Sequence, residues 1–161
     1  MNIVVVDSAD QADIVRDVIV RYLVDVSERL GELVSPEPRE EELREYRAPH
    51  GAFVLLSDTP GEPPCAGVGL RPLEDGRGEI KRLWVEGSRR GRGYGRLLMS
   101  RVVEEARLRR YRTVLLDSHF ALGEARRLYL SLGFSDVERY NDNPHAQYWM
   151  ALSLEEPSAG R

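Results

Sequence analysis

Hydrophobic positions along this chain follow two rhythms, short β-branched runs and four-residue helical repeats, and their order predicts an α/β domain. The run Ile3-Val4-Val5-Val6, stopped by Asp7, predicts a first strand because β-branched side chains suit a pleated surface. Ser8 with Gln11 three residues on makes a capping-box pattern. Ile14, Val18, Tyr22, Val26 and Leu30 then recur every four residues, which predicts an amphipathic helix broken at Gly31. Ser35-Pro36-Glu37-Pro38 reads as a turn, and residues 40–47 as a short, highly polar helix ending before Pro49.

Two further strands are expected at 52–57 and 65–70, joined by a Gly/Pro-rich loop at 58–64, and a third at 79–85 after the turn Asp75-Gly76. A glycine-rich bend over 90–95 opens a helix reaching about residue 110, with Leu98, Val102 and Ala106 on one face. A strand at 113–116, a helix at 122–132 closed by Gly133, and strands at 134–140 and 146–154 complete the order β-α-α-β-β-β-α-β-α-β-β. There is no internal repeat, so residues 1–154 form one expected domain and 155–161 a tail.

The 161 residues, 42% hydrophobic and 31% charged, suit one core of ordinary size. No apolar run approaches the roughly 18–20 residues of a membrane span, and no basic region followed by an apolar core opens the chain. A cytoplasmic protein without membrane contact is therefore expected. Cys65 is the single cysteine, which excludes an internal disulfide and a cysteine-based metal site, and no metal is expected. The net charge of −4 divides unevenly: residues 1–62 hold 14 acids and 6 bases, whereas nine arginines fall between Arg89 and Arg112 against only Glu104 and Glu105. That basic segment predicts an anionic ligand.

Its core is Arg90-Gly91-Arg92-Gly93-Tyr94-Gly95, where a strand passes into a helix. Glycines permit tight backbone angles and close approach, and the free amides and positive dipole end of the helix favour phosphate oxygens. A nucleoside-triphosphate loop is disfavoured because no lysine lies in or after the turn. A dinucleotide fold is disfavoured because the run is G-x-G-x-G, mid-chain, after hairpin-like strands. Nucleic acid is disfavoured by the acidic total and by arginines interleaved with core positions in the helix.

The segment resembles the coenzyme A-binding signature of the GNAT acetyltransferase superfamily, [QR]-x-x-G-x-[GA], met here by Arg90, Gly93 and Gly95. A second signature, a helix with a Leu-Tyr pair followed by Gly-Phe, is similar to Leu128-Tyr129 and Gly133-Phe134. The resemblance implies a mixed, mostly antiparallel sheet whose central parallel strands splay apart, flanked by helices, and acetyl-coenzyme A as the acetyl donor. It implies that backbone around Leu83, Trp84 and Val85 holds pantetheine. It further implies that the segment Arg90, Gly91, Arg92, Gly93, Tyr94, Gly95 and Arg96 holds the pyrophosphate.

An ammonium with a pKa near 10.4 is unreactive until it loses a proton, so transfer to an amine needs a base or relay. Glu79 stands eleven residues before Arg90, the spacing at which histone-modifying members of the superfamily carry a catalytic glutamate. Tyr129 occupies the position implied to contact the cofactor sulfur and to assist the departing thiolate. One departure is Leu122, standing where many relatives have an asparagine.

Glu-Lys-Arg-Leu strands with Asp-Asn-Pro loops are similar to those of a bacterial subgroup assigned to small-molecule acceptors. Lys81 or Arg82, with Tyr140 and Asn143, is accordingly expected to grip a small, amino-acid-like acceptor by its carboxylate, while Glu79, Lys81 and Leu83 alternate with Ile80, Arg82 and Trp84 unless a kink intervenes. The resulting expectation is direct acetyl transfer to the primary amine of a small molecule. A peptide or protein acceptor, a non-catalytic acyl-coenzyme A sensor and a homodimer remain open.

Overall fold

The computed structural model describes residues 1–32 and 35–156. Strands β1 (Asn2–Val6), β2 (Ala52–Ser57), β3 (Ala66–Pro72), β4 (Arg77–Val85), β5 (Thr113–Ser118), β6 (Ser135–Asp136) and β7 (Tyr148–Ser153) form one sheet. Their order is β1-β2-β3-β4-β5-β7-β6, and only the β4–β5 pair is parallel. Helices α1 (Ala12–Leu30) and α2 (Glu40–Glu45) cover one face; α3 (Tyr94–Leu108) and α4 (Gly123–Ser131) cover the other. Strand β2 shows why two cores arise: Phe53 and Leu55 point to α1 and α2, Val54 and Leu56 to α3 and α4, and all four are buried.

Helix α1 buries Val15, Val18, Ile19, Leu23 and Val26, whereas Ile14 is exposed. A strict four-residue step advances 400° and drifts around the cylinder, so the expected stripe follows the core at Val18, Tyr22 and Val26 but leaves it at Ile14. The capping box also differs: Ser8 bonds the Gln11 side chain and leaves the backbone amides to a 3-10 turn. Helix α2 is polar, with Glu40 and Glu41 exposed and one acid, Glu42, buried beside Leu43.

Two irregularities of β4 shape the centre. It pairs with β5 only through Arg77, Gly78 and Glu79, after which the strands separate while β5 continues along β7 to Ser118. A bulge then breaks its register with β3 between Gly67 and Gly69, and Arg82 lies in the left-handed region at φ 62°. The extra residue shifts the alternation: Ile80, Leu83 and Val85 face the α3 side, whereas Trp84 lies in the α1 core and Arg82 reaches α2. The alternation expected from sequence in the absence of a kink is thus shifted by this bulge after Arg82.

The strand expected at 134–140 reduces to the two residues of β6. Val137 N donates to Trp149 O as the last ladder bond, after which side chains of Asn141 and Asn143 accept from backbone amides of Asn143 and His145 and curl the chain into a loop. Most of the expected tail, 157–161, lies outside the described residues.

Candidate active site

The glycine turn sits at the open end of the β4–β5 split. Gly91 and Gly93 have φ of 79° and 82°, conformations costly for other residues, and a Cβ at either would meet only open space. Gly93 caps α3, and the first intrahelical bond runs from Leu97 N to Gly93 O. The amides of Tyr94, Gly95 and Arg96 therefore stand outside the helical ladder, as an anion site requires. Gly95 faces α4, where a Cβ would come within 3.2 Å of Leu128 Cδ2. Between the turn, Leu83, Trp84 and Val85 of β4, the start of α4 and the half-buried Tyr22, Asp25 and Arg29 of α1 lies a slot of about 280 Å³.

The arginines of this region are not equivalent. Arg89 is bound by Asp58 at 2.8 Å and by Glu86, and Arg90 reaches Asp25 at 2.6 Å and Val85 O at 3.2 Å. Arg101 and Arg109 share the buried Glu105. Among the described residues Arg92 has no ion pair, and Arg96 bonds only the neutral Ser131 hydroxyl. Arg107, Arg110 and Arg112 also lack an ion pair among the described residues but lie at the far end of α3, so at the turn itself the free cationic charge narrows to Arg92, Arg96 and the helix amides.

Deeper in the split the slot meets a second, smaller cavity lined by Tyr22, Lys81, Arg82, Leu83, Asp117, Ser118, Leu122, Tyr129 and Asn143. Tyr129 is 5% exposed, and among the described residues its hydroxyl takes no hydrogen bond. Burial pushes that hydroxyl well above its usual 10.0, with the charge of Asp117 adding to the effect. Leu122 caps α4 and lines both cavities, so an apolar side chain occupies the position where many relatives are implied to have asparagine. His119 holds the preceding turn, its Nδ1 accepting from Ala121 N at 2.9 Å.

The remaining expected site residues form an ion-pair array. Glu79 is 1% exposed; its carboxylate accepts from Arg71 Nε at 2.7 Å and from the Tyr140 hydroxyl at 2.6 Å, with Lys81 Nζ at 3.8 Å. It borders a neighbouring cleft with Arg71, Arg77, Tyr140 and Asn141. Arg82 makes two bonds to Glu42, at 2.9 and 2.7 Å, with its guanidinium 5.3 Å from the Tyr22 ring centre. Burial pushes the Tyr140 hydroxyl upward, reinforced by Glu79. Asn143 donates to Asp117 at 3.1 Å, and Asn141 donates to the other oxygen of the same carboxylate. Arg82, Tyr140 and Asn143 are thus each engaged by a carboxylate of the protein.

Sequence reasoning missed Asp117, Tyr22 and Glu42. The signal for Asp117 was an acid ending the apolar run Val114-Leu115-Leu116, with two asparagines spaced by one residue downstream. That for Glu42 was an acid beside Leu43 in a helix too polar to bury much else.

Compared with known proteins, the chain matches the model of the acetyltransferase (GNAT) family over residues 20–134. It belongs to the GNAT acetyltransferase family. An uncharacterized N-acetyltransferase of Schizosaccharomyces pombe is 34% identical over 103 residues, and the match covers 63% of this chain and 63% of that protein. An IAA acetyltransferase of Azospirillum brasilense is 26% identical over 143 residues, covering 88% of this chain and 92% of the relative. A GNAT acetyltransferase structure from Staphylococcus aureus shares the fold, with a TM-score of 0.77 at 14% identity over 96% of this chain and all of that one. A coenzyme A complex of an aminoglycoside 6'-N-acetyltransferase reaches 0.67 at 17% identity over 96% of this chain and 99% of that one. The splayed parallel pair and flanking helices are therefore the GNAT arrangement.

Proposed function

We propose that this GNAT protein transfers acetyl from acetyl-coenzyme A to the primary amine of a small molecule by direct attack. The observation that carries the reading is the continuity of the β4–β5 split, with an anion-binding glycine turn at one end and the unpartnered Tyr129 hydroxyl at the other. The amides of residues 91–96, with Arg92 and Arg96, hold the phosphates. The edges of β4 exposed at Leu83, Trp84 and Val85 pair with the amide-rich pantetheine arm, and bound acetyl-coenzyme A supplies the thioester. The names of the Azospirillum relative and of the aminoglycoside enzyme suit a small acceptor.

Tyr129 donates to the departing thiolate. On β4 the candidate proton acceptor is Glu79, whose two oxygens are already bonded by Arg71 and Tyr140. A proton therefore reaches it by relay: the Tyr140 oxygen accepts from the amine or a water as its own hydrogen passes to Glu79.

Calorimetry tests the reading. Acetyl-coenzyme A should bind the wild-type chain, and Gly93→Val, which forces a β-branched residue to φ 82° at roughly 1–2 kcal/mol, should weaken binding about tenfold. Absence of wild-type binding would defeat the proposal.

A further inference from the structure

The charges around the inner cavity balance in pairs, with one exception. Arg82 is neutralised by Glu42; Arg71 and Lys81 are shared between Glu79 and Glu45. On the α1 side Arg90 is matched by Asp25 and Arg29 by Glu124. Asp117, at the end of β5, has no cationic partner among the described residues. Its carboxylate is held only by the neutral amides of Asn141 and Asn143. A carboxylate offers about four lone-pair positions, so two amide donors leave acceptor capacity for a group entering the cavity.

We infer that Asp117 docks the cationic nitrogen of the acceptor, which is therefore recognised by its positive charge rather than by a carboxylate. The inference rests on the acetyl-transfer reading and names its acceptor class: a slender primary alkylamine that is an ammonium in solution. An ammonium completes the charge balance of a half-buried anion, whose isolation is otherwise costly. Asp117 is central to the site, for its charge raises the hydroxyls of Tyr22, Tyr129 and Tyr140 alike. The ammonium arrives in the cavity that the Tyr129 hydroxyl, proposed to assist the leaving thiolate, also lines. An acceptor carboxylate finds little purchase by comparison: Arg82, Tyr140 and Asn143 are already bound to Glu42, Glu79 and Asp117, and Lys81 lies 3.8 Å from Glu79.

The full chain saturated with coenzyme A, which cannot donate acetyl, is titrated by NMR with n-propylamine and with its neutral counterpart n-propanol. The amine should bind and the alcohol should not. Asp117→Asn and Asp117→Ser should weaken amine binding about tenfold or more with coenzyme A affinity unchanged, and in turnover the loss should appear in KM more than in kcat. The serine variant is included because asparagine sets a third amide against Asn141 and Asn143. Equal binding of amine and alcohol by the wild type, failure of the amine to bind, or turnover favouring glycine over n-propylamine overturns the inference. Amine binding that depends on Asp117 without transfer to any amine overturns the acetyl-transfer reading instead and leaves the docking assignment standing.

Discussion

Replacing Tyr129 by phenylalanine should lower the turnover of acetyl transfer about 10²-fold, the usual worth of a positioned proton donor, while acetyl-coenzyme A affinity changes little. The ring packs against Phe134 with centroids 5.9 Å apart, and phenylalanine preserves that contact. What is lost is the hydroxyl alone. Because burial holds it well above 10.0, it stays protonated through the working pH range and donates a hydrogen bond to the thiolate as the C–S bond breaks. The alkaline limb of the pH–rate profile should therefore survive in Tyr129→Phe. Steady-state kinetics with thiol detection decides the matter, and an unchanged kcat would remove Tyr129 from the chemistry.

The largest effect on stability is expected at Glu42. Glu42→Ala leaves the Arg82 guanidinium buried without its partner, which should cost roughly 3 kcal/mol or more, a fall in Tm of about 10 °C for a chain of this size. Activity should fall with it, since Glu42 pins the bulge at Arg82 in the part of β4 that has separated from β5. Burial pushes Glu42 upward, yet the hydrogen bond and charge of Arg82, with the Tyr46 hydroxyl, hold it below its usual 4.5. A depressed carboxylate contributes fully above that value, and the contribution is lost as pH falls through the folded pKa. The urea midpoints of wild type and Glu42→Gln should thus differ at pH 7, and the difference should shrink at acid pH, below 4.5. A gap of equal size at both would show that the ion pair is not its source.

The sequence made most of the framework legible because local rules decided it. The glycine turn followed from glycines that only a left-handed backbone needs, and β2, β3 and β5 followed from β-branched and aliphatic runs. Element order located the parallel pair through the family resemblance. Legibility failed where side chains from distant segments meet. Arg82 looked free because Glu42 lies 40 residues away, and the β4 alternation broke because the bulge is held from α2. Residues 137–147 looked partly like a strand because their bonding to Asp117 is tertiary. The same blindness hid Asp117, the carboxylate of the inner cavity with no cationic partner among the described residues, since neutrality is a property of neighbours in space.

The pairing of Arg89 and Arg90 with Asp58, Glu86 and Asp25 bears on how the cofactor is held in different ionic media. Nine arginines around a polyphosphate would suggest binding that collapses as counterions accumulate. Here Arg89, Arg90, Arg101 and Arg109 are compensated within the protein, Arg107, Arg110 and Arg112 lie at the far end of α3, and the phosphates meet backbone dipoles plus Arg92 and Arg96. Coenzyme A affinity measured from low to physiological ionic strength should decline with a slope set by about two cations, not nine. The acidic residues 1–62, through Asp25 and Asp58, act as a built-in counterion cloud for the basic middle.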